Sequence, residues 1–143
     1  MISEIISKNI EETQVYGESL AKAFPSKSII LLNGDLGSGK TTFSKGFARG
    51  LEIKEHVGSP TFKIVSEYIG NPHNLYHVDC YRLKGSKDFL NFGGENLLLP
   101  ENGVTLIEWA EIIEDILPDN CINISFKRVR NDPNKRLIKI NRD

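Results

Sequence analysis

The stretch LLNGDLGSGKTTF, residues 31–43, ends an apolar run abruptly and continues with three glycines within six residues, a lysine and two threonines. Its part Gly34–Thr41 fits G-x-x-x-x-G-K-S/T, the phosphate-binding P-loop pattern. Glycines let the backbone turn so that successive N–H groups point at phosphate oxygens, and a following helix adds the partial positive charge of its N-terminus. The apolar run SIILLN before the loop predicts a buried parallel strand, and residues 40–50 predict a helix. The stretch therefore predicts a strand–loop–helix unit that holds a nucleoside triphosphate.

The loop supplies the nucleotide-binding candidates. Lys40 would reach the β- and γ-phosphates, and the Thr41 hydroxyl would ligate Mg²⁺. The alternative is a glycine-rich turn that carries a surface lysine, but the strand before and the helix after are the context that a P-loop requires. The predicted cofactor-binding set is Asp35, Leu36, Gly37, Ser38, Gly39, Lys40, Thr41 and Thr42.

P-loop proteins need a carboxylate at the end of another strand to orient Mg²⁺ directly or through water. Glu108, which ends the apolar segment VTLIE, is the candidate for this role; a glutamate that simply leaves the sheet is the alternative. Asp79 lies in YHVDCYR, where strand alternation places His77, Asp79 and Tyr81 on one face. Asp79 could order the attacking water or join the metal's ligand shell, or it could be a buried aspartate paired with Arg82. We expect His77 to pack or to orient other groups rather than to catalyse.

The segment GSPTFKIV after the P-loop helix is a candidate switch loop. Pro60 restrains Ser59 to extended geometry, and Thr61 offers a hydroxyl just before a predicted strand. In nucleotide switches a loop threonine can sense the γ-phosphate through Mg²⁺. A β-turn that precedes a strand explains the same residues equally well.

The remaining pattern predicts one α/β domain over residues 1–143, with a P-loop NTPase-like, mixed and largely parallel β-sheet, flanking helices and a C-terminal β-hairpin. A length of 143 residues with 39% apolar and 26% charged side chains is ordinary for a single globular domain. The pattern predicts strands at ISEIIS, FKIVSEYI, LYHVDCYR and VTLIEW. It predicts a helix over about residues 10–23, capped by Asn9, and another at AEIIEDIL. Residues 84–99 read as short helices broken at Gly93-Gly94, and CINISFKRV and RLIKIN as a hairpin around RNDPNK.

Charge is nearly balanced overall but uneven along the chain. The formal net charge is −1, yet residues 121–143 carry seven basic against two acidic side chains, which leaves −6 on the first 120 residues. The basic hairpin could face phosphates or an acidic partner, or it could be a solvated face. Two widely spaced cysteines without metal-binding spacing suit a reducing compartment. We expect a cytoplasmic protein, because the N-terminus does not resemble a signal peptide and no apolar stretch approaches the roughly 20 residues that span a bilayer.

Taken together, the segments GDLGSGKTTF, SPTF, HVDCYRL and IEWAE, in this order, resemble the TsaE (YjeE) family over about residues 5–130. Members are bacterial P-loop ATPases required for threonylcarbamoyladenosine formation on tRNA. The family often has proline where this chain has Ala110, and a more acidic helix after the Y-R-L motif. Both departures lie away from the phosphate chemistry, but they could alter how a partner docks.

The resemblance implies ATP and Mg²⁺ as ligands and a TsaB–TsaD-type complex as partner. It gives Lys40 and Thr41 phosphate and metal roles, places Thr42 near the phosphates, and makes Glu108 the Walker-B-like carboxylate, followed by the family's Trp109. It makes Asp79 a catalytic residue and assigns Ser59 and Thr61 to a switch loop. The implied protein hydrolyses ATP slowly, is stimulated by its partners and meets tRNA indirectly through the complex, or through the basic hairpin.

Three other functions are compatible with a P-loop. A small-molecule kinase usually has an arginine-bearing lid, but between the P-loop and the terminal hairpin the chain has only Arg49 and Arg82. A GTPase would carry N-K-x-D, whereas NKRL at 134–137 ends in leucine. A non-enzymatic module that uses ATP only as an assembly signal would differ from the ATPase solely in not needing turnover.

Overall fold

The computed structural model describes residues 2–35, 37–55, 57–58 and 64–142. Seven strands and three α-helices make up most of the regular structure, with two 3₁₀ segments at Gly94–Leu98 and Ala110–Ile116. The strands are β1 Ile2–Ser7, β2 Ile29–Asn33, β3 Val65–Tyr68, β4 Asn74–Asp79, β5 Gly103–Glu108, β6 Ile122–Val129 and β7 Asp132–Arg142. The helices are α1 Ile10–Ala23, α2 Lys40–Gly50 and α3 Ser86–Asn91.

One mixed sheet has the strand order β1-β7-β6-β2-β5-β4-β3. The pairs β6–β2, β2–β5 and β5–β4 are parallel, and the pairs β1–β7, β7–β6 and β4–β3 are antiparallel. The predicted mixed α/β fold with a terminal hairpin is confirmed, and its parallel part is confined to the four central strands. Because β2, β4 and β5 run the same way, their carboxyl ends meet at one edge of the sheet, where ligands bind in open α/β folds.

Apolar side chains cover both faces of the sheet. On one face α1 and α2 pack through a cluster that includes Phe43, Phe47 and Leu106. On the other face α3 and the 3₁₀ segments pack through a cluster that includes Val78 and Phe89. The continuous apolar pattern of the predicted strands β2 and β5 follows from this, since both of their faces are buried.

Helix α1 starts where the capping pattern predicts. The Asn9 side chain accepts a hydrogen bond from the Glu12 amide at 2.8 Å, and Glu12 accepts one from the Lys8 amide at 3.0 Å. Its body lies unusually close to α2, because glycines replace side chains at the crossing. A Cβ on Gly46 would lie 2.1 Å from the carbonyl oxygen of Gln14, and one on Gly17 would meet α2 in the same way. This close packing fixes the first turn of α1 beside the start of α2.

Three local predictions need correction. The predicted strand LYHVDCYR continues only to Asp79, where β4 ends, and its last three residues lie outside the strand. AEIIEDIL forms a 3₁₀ segment with a kink at Ile113 rather than an α-helix, and it begins after Trp109, which has a φ of 59°. Strand β7 starts at Asp132, inside the predicted turn RNDPNK, so the hairpin turn is shorter than the sequence indicated. Of the predicted strand FKIVSEYI, the part Val65–Tyr68 forms β3, and residues 62 and 63 lie outside the described residues. No helix within the described ranges is long and apolar enough to cross a membrane.

Candidate nucleotide site

The P-loop connects β2 to α2 and turns through glycines in the left-handed region. Gly37 has a φ of 77° and Gly39 a φ of 113°, conformations that other residues adopt only with strain. The amide of Ser38 donates to the Asp35 carbonyl at 3.0 Å, which closes the turn. The structure therefore requires glycine at these two positions of the pattern.

Backbone donors gather where α2 begins. The first hydrogen bond of the helix runs from the Phe43 amide to the Gly39 carbonyl at 2.9 Å. The amides of Lys40, Thr41 and Thr42 precede it, so helix geometry gives them no acceptor within α2. All three residues line one cavity, and together with the helix dipole they form a site suited to an anion.

The two predicted carboxylates lie side by side at the carboxyl ends of adjacent parallel strands. Asp79 ends β4 and Glu108 ends β5, and the two residues are partners in the strand register. Both line the same cavity as Lys40 and Thr41. The sheet thus brings the predicted catalytic residues to a single place, although they are separated by up to 68 positions in the chain.

Glu108 is buried between two partners. His77 donates from Nε2 to Glu108 Oε2 at 2.8 Å, and Lys40 Nζ lies 3.8 Å from Glu108 Oε1. Because a carboxylate can only accept, Nε2 must carry the proton of this bond. Burial by itself would raise the pKa of Glu108, but the hydrogen bond from His77 and the charges of His77 and Lys40 outweigh it and lower the pKa. Glu108 is therefore ionised at neutral pH, as a metal-orienting carboxylate must be.

Asp79 has the opposite balance. Burial raises the pKa of its carboxyl group, and the negative charge of Glu108 adds to this effect. The hydrogen bond from the Tyr81 amide at 2.9 Å opposes it. The side chain is only partly buried and faces the cavity. Two neighbouring carboxyl groups whose pKa values are pushed apart are a common arrangement for separate metal-holding and proton-accepting roles.

Two aromatic rings border the Lys40 side chain. Tyr81 and Trp109 lie with ring centroids 4.9 Å apart, and the Lys40 Nζ is 5.6 Å from the Trp109 ring centroid. Strand β4 ends at Asp79, so Tyr81 reaches the cavity from the turn that follows rather than from the strand face. Tyr81 is 62% and Trp109 40% exposed, which leaves this aromatic pair open to solvent at the mouth of the cavity.

The cavity has a volume of about 690 Å³ and extends well beyond the P-loop. Its far walls come from two segments that are distant from the P-loop in the sequence. The first turn of α1 contributes Asn9, Ile10 and Thr13, and the hairpin contributes Pro133, Asn134 and Arg136. The capping pattern marked the start of α1 and the charge count marked the hairpin, but nothing local in the sequence indicated that either would face the loop.

The donors present fit Mg²⁺ brought by a nucleotide. Thr41 offers a hydroxyl and Glu108 an ionised carboxylate beside the unpaired amides, and hard oxygen donors are those that Mg²⁺ prefers. Within the described residues, no group of three or more His, Cys, Asp or Glu side chains could hold a metal ion alone. Phosphate oxygens and water would have to complete the coordination shell.

Three predicted site residues, Leu36, Ser59 and Thr61, lie outside the described residues. Their predicted roles in nucleotide binding and in the switch loop stay predictions. Of the described members of the predicted binding set, Gly37, Gly39, Lys40, Thr41 and Thr42 line the cavity, whereas Asp35 and Ser38 do not. Ser38 is buried instead, and its hydroxyl has no partner among the described residues.

Comparison with known proteins gives a consistent answer. Residues 7–138 match the family model of the threonylcarbamoyl adenosine biosynthesis protein TsaE. The tRNA threonylcarbamoyladenosine biosynthesis protein TsaE of Bacillus subtilis is 42% identical over 124 residues, which cover 87% of this chain and 77% of that protein. The TsaE of Treponema pallidum is 36% identical over 132 residues, 92% of this chain and 96% of that protein.

A solved structure is also similar. The crystal structure of Bacillus subtilis YdiB superposes with a TM-score of 0.79 at 36% identity, over 99% of this chain and 86% of the other. Sequence, fold and the P-loop with its two neighbouring carboxylates agree with the predicted resemblance. The chain belongs to the TsaE family of threonylcarbamoyl adenosine biosynthesis proteins, which are of the P-loop NTPase type.

Proposed function

We propose that residues 1–143 act as one Mg²⁺-dependent ATPase domain of the tRNA N6-threonylcarbamoyladenosine machinery, working in the cytoplasm with a TsaB–TsaD-type complex. ATP hydrolysis, slow in the isolated chain, would drive the turnover of that complex. The observation that carries the proposal is the convergence of Lys40, Glu108 and Asp79 on one cavity at the start of α2. The family membership supplies the pathway.

Each described residue has a distinct task in this proposal. Lys40 and the amides of the first turn of α2 bind the β- and γ-phosphates, and Thr41 and Glu108 hold Mg²⁺. The ion would neutralise charge that develops on the phosphate oxygens during transfer to water. His77 keeps Glu108 oriented through the 2.8 Å hydrogen bond. The exposed side chain of Ile10 and the ring of Pro133 offer apolar walls for the nucleoside end of ATP.

Asp79 is the residue that would position the attacking water and accept its proton. Its carboxyl group faces the cavity, and Glu108 beside it is already occupied by His77 and Lys40. Burial raises the pKa of Asp79, which makes its carboxylate a better proton acceptor than that of an ordinary aspartate. A neighbouring carboxylate that stays on the metal completes the division of work.

The partner's role follows from the open aromatic mouth of the cavity and from the family. A TsaB–TsaD-type complex that covers Tyr81 and Trp109 would exclude water from the reacting phosphates. The candidate switch residues Ser59 and Thr61 would report the γ-phosphate to it. tRNA would be met through the complex, with the basic face of the β6–β7 hairpin, including Arg130, as a second contact.

The proposal is tested by measuring ATP hydrolysis of the chain alone and with its TsaB–TsaD pair. We expect strong stimulation by the pair, and loss of it in Glu108→Ala. Glu101→Ala is the matched control, since Glu101 is exposed and precedes the opposite end of β5. Tight ATP binding with negligible hydrolysis in every mixture would favour the binding module instead. Turnover by the chain alone at the enzyme median of about 10 per second would contradict the coupled ATPase.

A further inference from the structure

The β6–β7 hairpin covers the outer side of the P-loop. A Cβ placed on Gly37 would lie 2.4 Å from Nη2 of Arg128, and one on Gly39 would lie 3.6 Å from Cγ of Arg136. A Cβ on Gly34 would lie 2.8 Å from the Phe126 carbonyl oxygen. Of these neighbours only the Phe126 carbonyl is backbone, so Gly34 is the glycine that close approach to the hairpin requires, while the side chains of Arg128 and Arg136 lie against Gly37 and Gly39. The hairpin is part of the surroundings that define the loop's shape.

Arg136 makes the polar link between the two. Its Nη2 donates to the Gly37 carbonyl at 3.3 Å, across 99 positions of the chain. Its Nη1 donates to the carbonyls of Pro133 at 2.7 Å and Lys135 at 2.9 Å, both in the hairpin. One guanidinium thus connects the turn of the hairpin to the backbone of the P-loop, in a forked geometry that a lysine ammonium does not reproduce.

The peptide unit between Gly37 and Ser38 is held at both ends. Its carbonyl accepts from Arg136, and its N–H, that of Ser38, donates to the Asp35 carbonyl at 3.0 Å. A peptide plane with both polar groups engaged cannot flip without breaking a hydrogen bond. The amides that follow, from Lys40 to Thr42, belong to residues that line the cavity. Fixing this peptide plane therefore restricts the path of the backbone into the first turn of α2, where the anion-binding amides lie.

The guanidinium of Arg136 does not have all of its donors hydrogen-bonded within the described part of the chain. Its Nε is buried and has no acceptor among the described residues, which is an unfavourable state for a charged group. Arg136 also lines the cavity. Arg136 thus lies between the P-loop and the cavity, with one donor that the described residues leave unused.

From these contacts we infer that Arg136 is a positioning residue for the P-loop. It anchors the Gly37 carbonyl to the terminal hairpin, so that the loop is already in its phosphate-binding shape before a nucleotide arrives. The expected effect on ATP affinity rests on the proposed function. The ordering of the nucleotide-free loop by Arg136 does not. The two can be measured separately.

The test compares Arg136→Gln with Lys139→Gln in the full chain. Lys139 lies on the same strand, is exposed, carries the same charge and pairs with Glu4 away from the cavity. Hydrogen exchange of the nucleotide-free protein is followed in the peptide that contains the P-loop, and Mg·ATP affinity is followed by calorimetry. We expect faster loop exchange and about tenfold weaker Mg·ATP binding in Arg136→Gln alone, from the loss of one charge-assisted hydrogen bond. Arg136→Lys should fall between wild type and Arg136→Gln in both measurements.

Loop exchange in Arg136→Gln equal to that of wild type would overturn the inference, even if ATP affinity fell, because the charge would then act directly. If wild-type protein does not bind Mg·ATP, the proposed function fails, and the exchange comparison still decides the role of Arg136. Should Arg136→Gln not fold, the same comparison is made with Arg136→Lys, where unchanged exchange counts against the inference.

Discussion

Replacement of His77 by leucine should expose the cost of keeping an ionised carboxylate in the interior. The side chain of Glu108 is 6% exposed, so water cannot take over the lost hydrogen bond, and Lys40 at 3.8 Å is beyond hydrogen-bond distance. Leucine has a similar volume, so little of the effect comes from a cavity. A hydrogen bond to a charged group is worth about 1.5–3 kcal/mol, and a buried ion that loses its partner can cost more. We expect His77→Leu to lower the free energy of unfolding by about 2–3 kcal/mol at neutral pH.

The pH dependence of this loss separates the charge from packing. In wild type the pKa of Glu108 is lowered, so its stabilising contribution is present above the unfolded pKa and disappears as the pH falls. In His77→Leu, burial is no longer opposed by His77 and raises the pKa of Glu108. The free energy of unfolding of the variant therefore falls as the pH rises, opposite to the wild type. The difference between the two proteins should be largest near neutral pH and should shrink as the pH is lowered to about 4.

Urea unfolding at several pH values measures this difference, and Leu75→Ala provides the control. Leu75 lies on the same strand and is fully buried, and its truncation should cost about 2–5 kcal/mol through a cavity. That loss carries no titrating group and should vary little with pH. If the His77→Leu loss were equally independent of pH, His77 would be a packing residue and the electrostatic account of Glu108 would be wrong.

Three further predictions concern Gly46 at the helix crossing, with Gly85→Ala as its control, the buried thiol of Cys80, and Asp79. Gly46→Ala should destabilise the fold by about 1–3 kcal/mol in thermal unfolding, because its Cβ would meet a backbone oxygen of α1 at 2.1 Å. Gly85→Ala, where no described atom lies within 4 Å of the added carbon, should stay within about 0.5 kcal/mol of wild type. Burial raises the pKa of Cys80 to about 12, whereas the thiol of the unfolded chain has a pKa of 9.0. Above pH 9.0 the free energy of unfolding should therefore fall by about 1.4 kcal/mol per pH unit, and urea unfolding of Cys80→Ala should lack this slope. Asp79→Asn should reduce partner-stimulated ATP hydrolysis about 10²–10⁴-fold, while Mg·ATP affinity by calorimetry stays similar. The acid limb of the wild-type pH–rate profile should lie above the ordinary aspartate pKa, because burial raises the pKa of Asp79. Unchanged hydrolysis would show that Asp79 takes no part in the reaction.

The parts of the fold that the sequence predicted are those with a local physical cause. The apolar run of β2, the glycines of the loop and the start of α2 are contiguous, and the Asn9 capping pattern marks the first residue of α1. The 3₁₀ geometry of Ala110–Ile116 could not be predicted from spacing. Neither the left-handed backbone of Trp109 before it nor the kink at Ile113 within it has a signature in the residue types. A tryptophan adopts that conformation only at a cost, so its residue type gives no reason to expect it there.

The site was predictable where it depends on strand ends and unpredictable where it depends on packing between distant segments. Lys40, Asp79 and Glu108 follow from motif positions at the ends of strands. The walls formed by the start of α1 and by the hairpin depend on two long-range facts, the glycine crossing of α1 with α2 and the antiparallel position of β7 between β1 and β6. Neither has a signature within a single segment. For the same reason the basic hairpin was visible as a charge, while the contact of Arg136 with the P-loop was not.

The identity of Glu108 as glutamate rather than aspartate has a geometric explanation. In the register of β4 and β5, Glu108 is opposite Asp79, and His77 is opposite Leu106, two residues earlier. To bond His77, the carboxylate must reach across to the neighbouring strand and back along it, while its other oxygen remains near Lys40 at the start of α2. The additional methylene of glutamate supplies that reach, and an aspartate on the same backbone would hold its carboxylate beside that of Asp79. Side-chain length at one strand end thus separates two neighbouring carboxylates into one that is buried and bonded and one that stays open to the cavity.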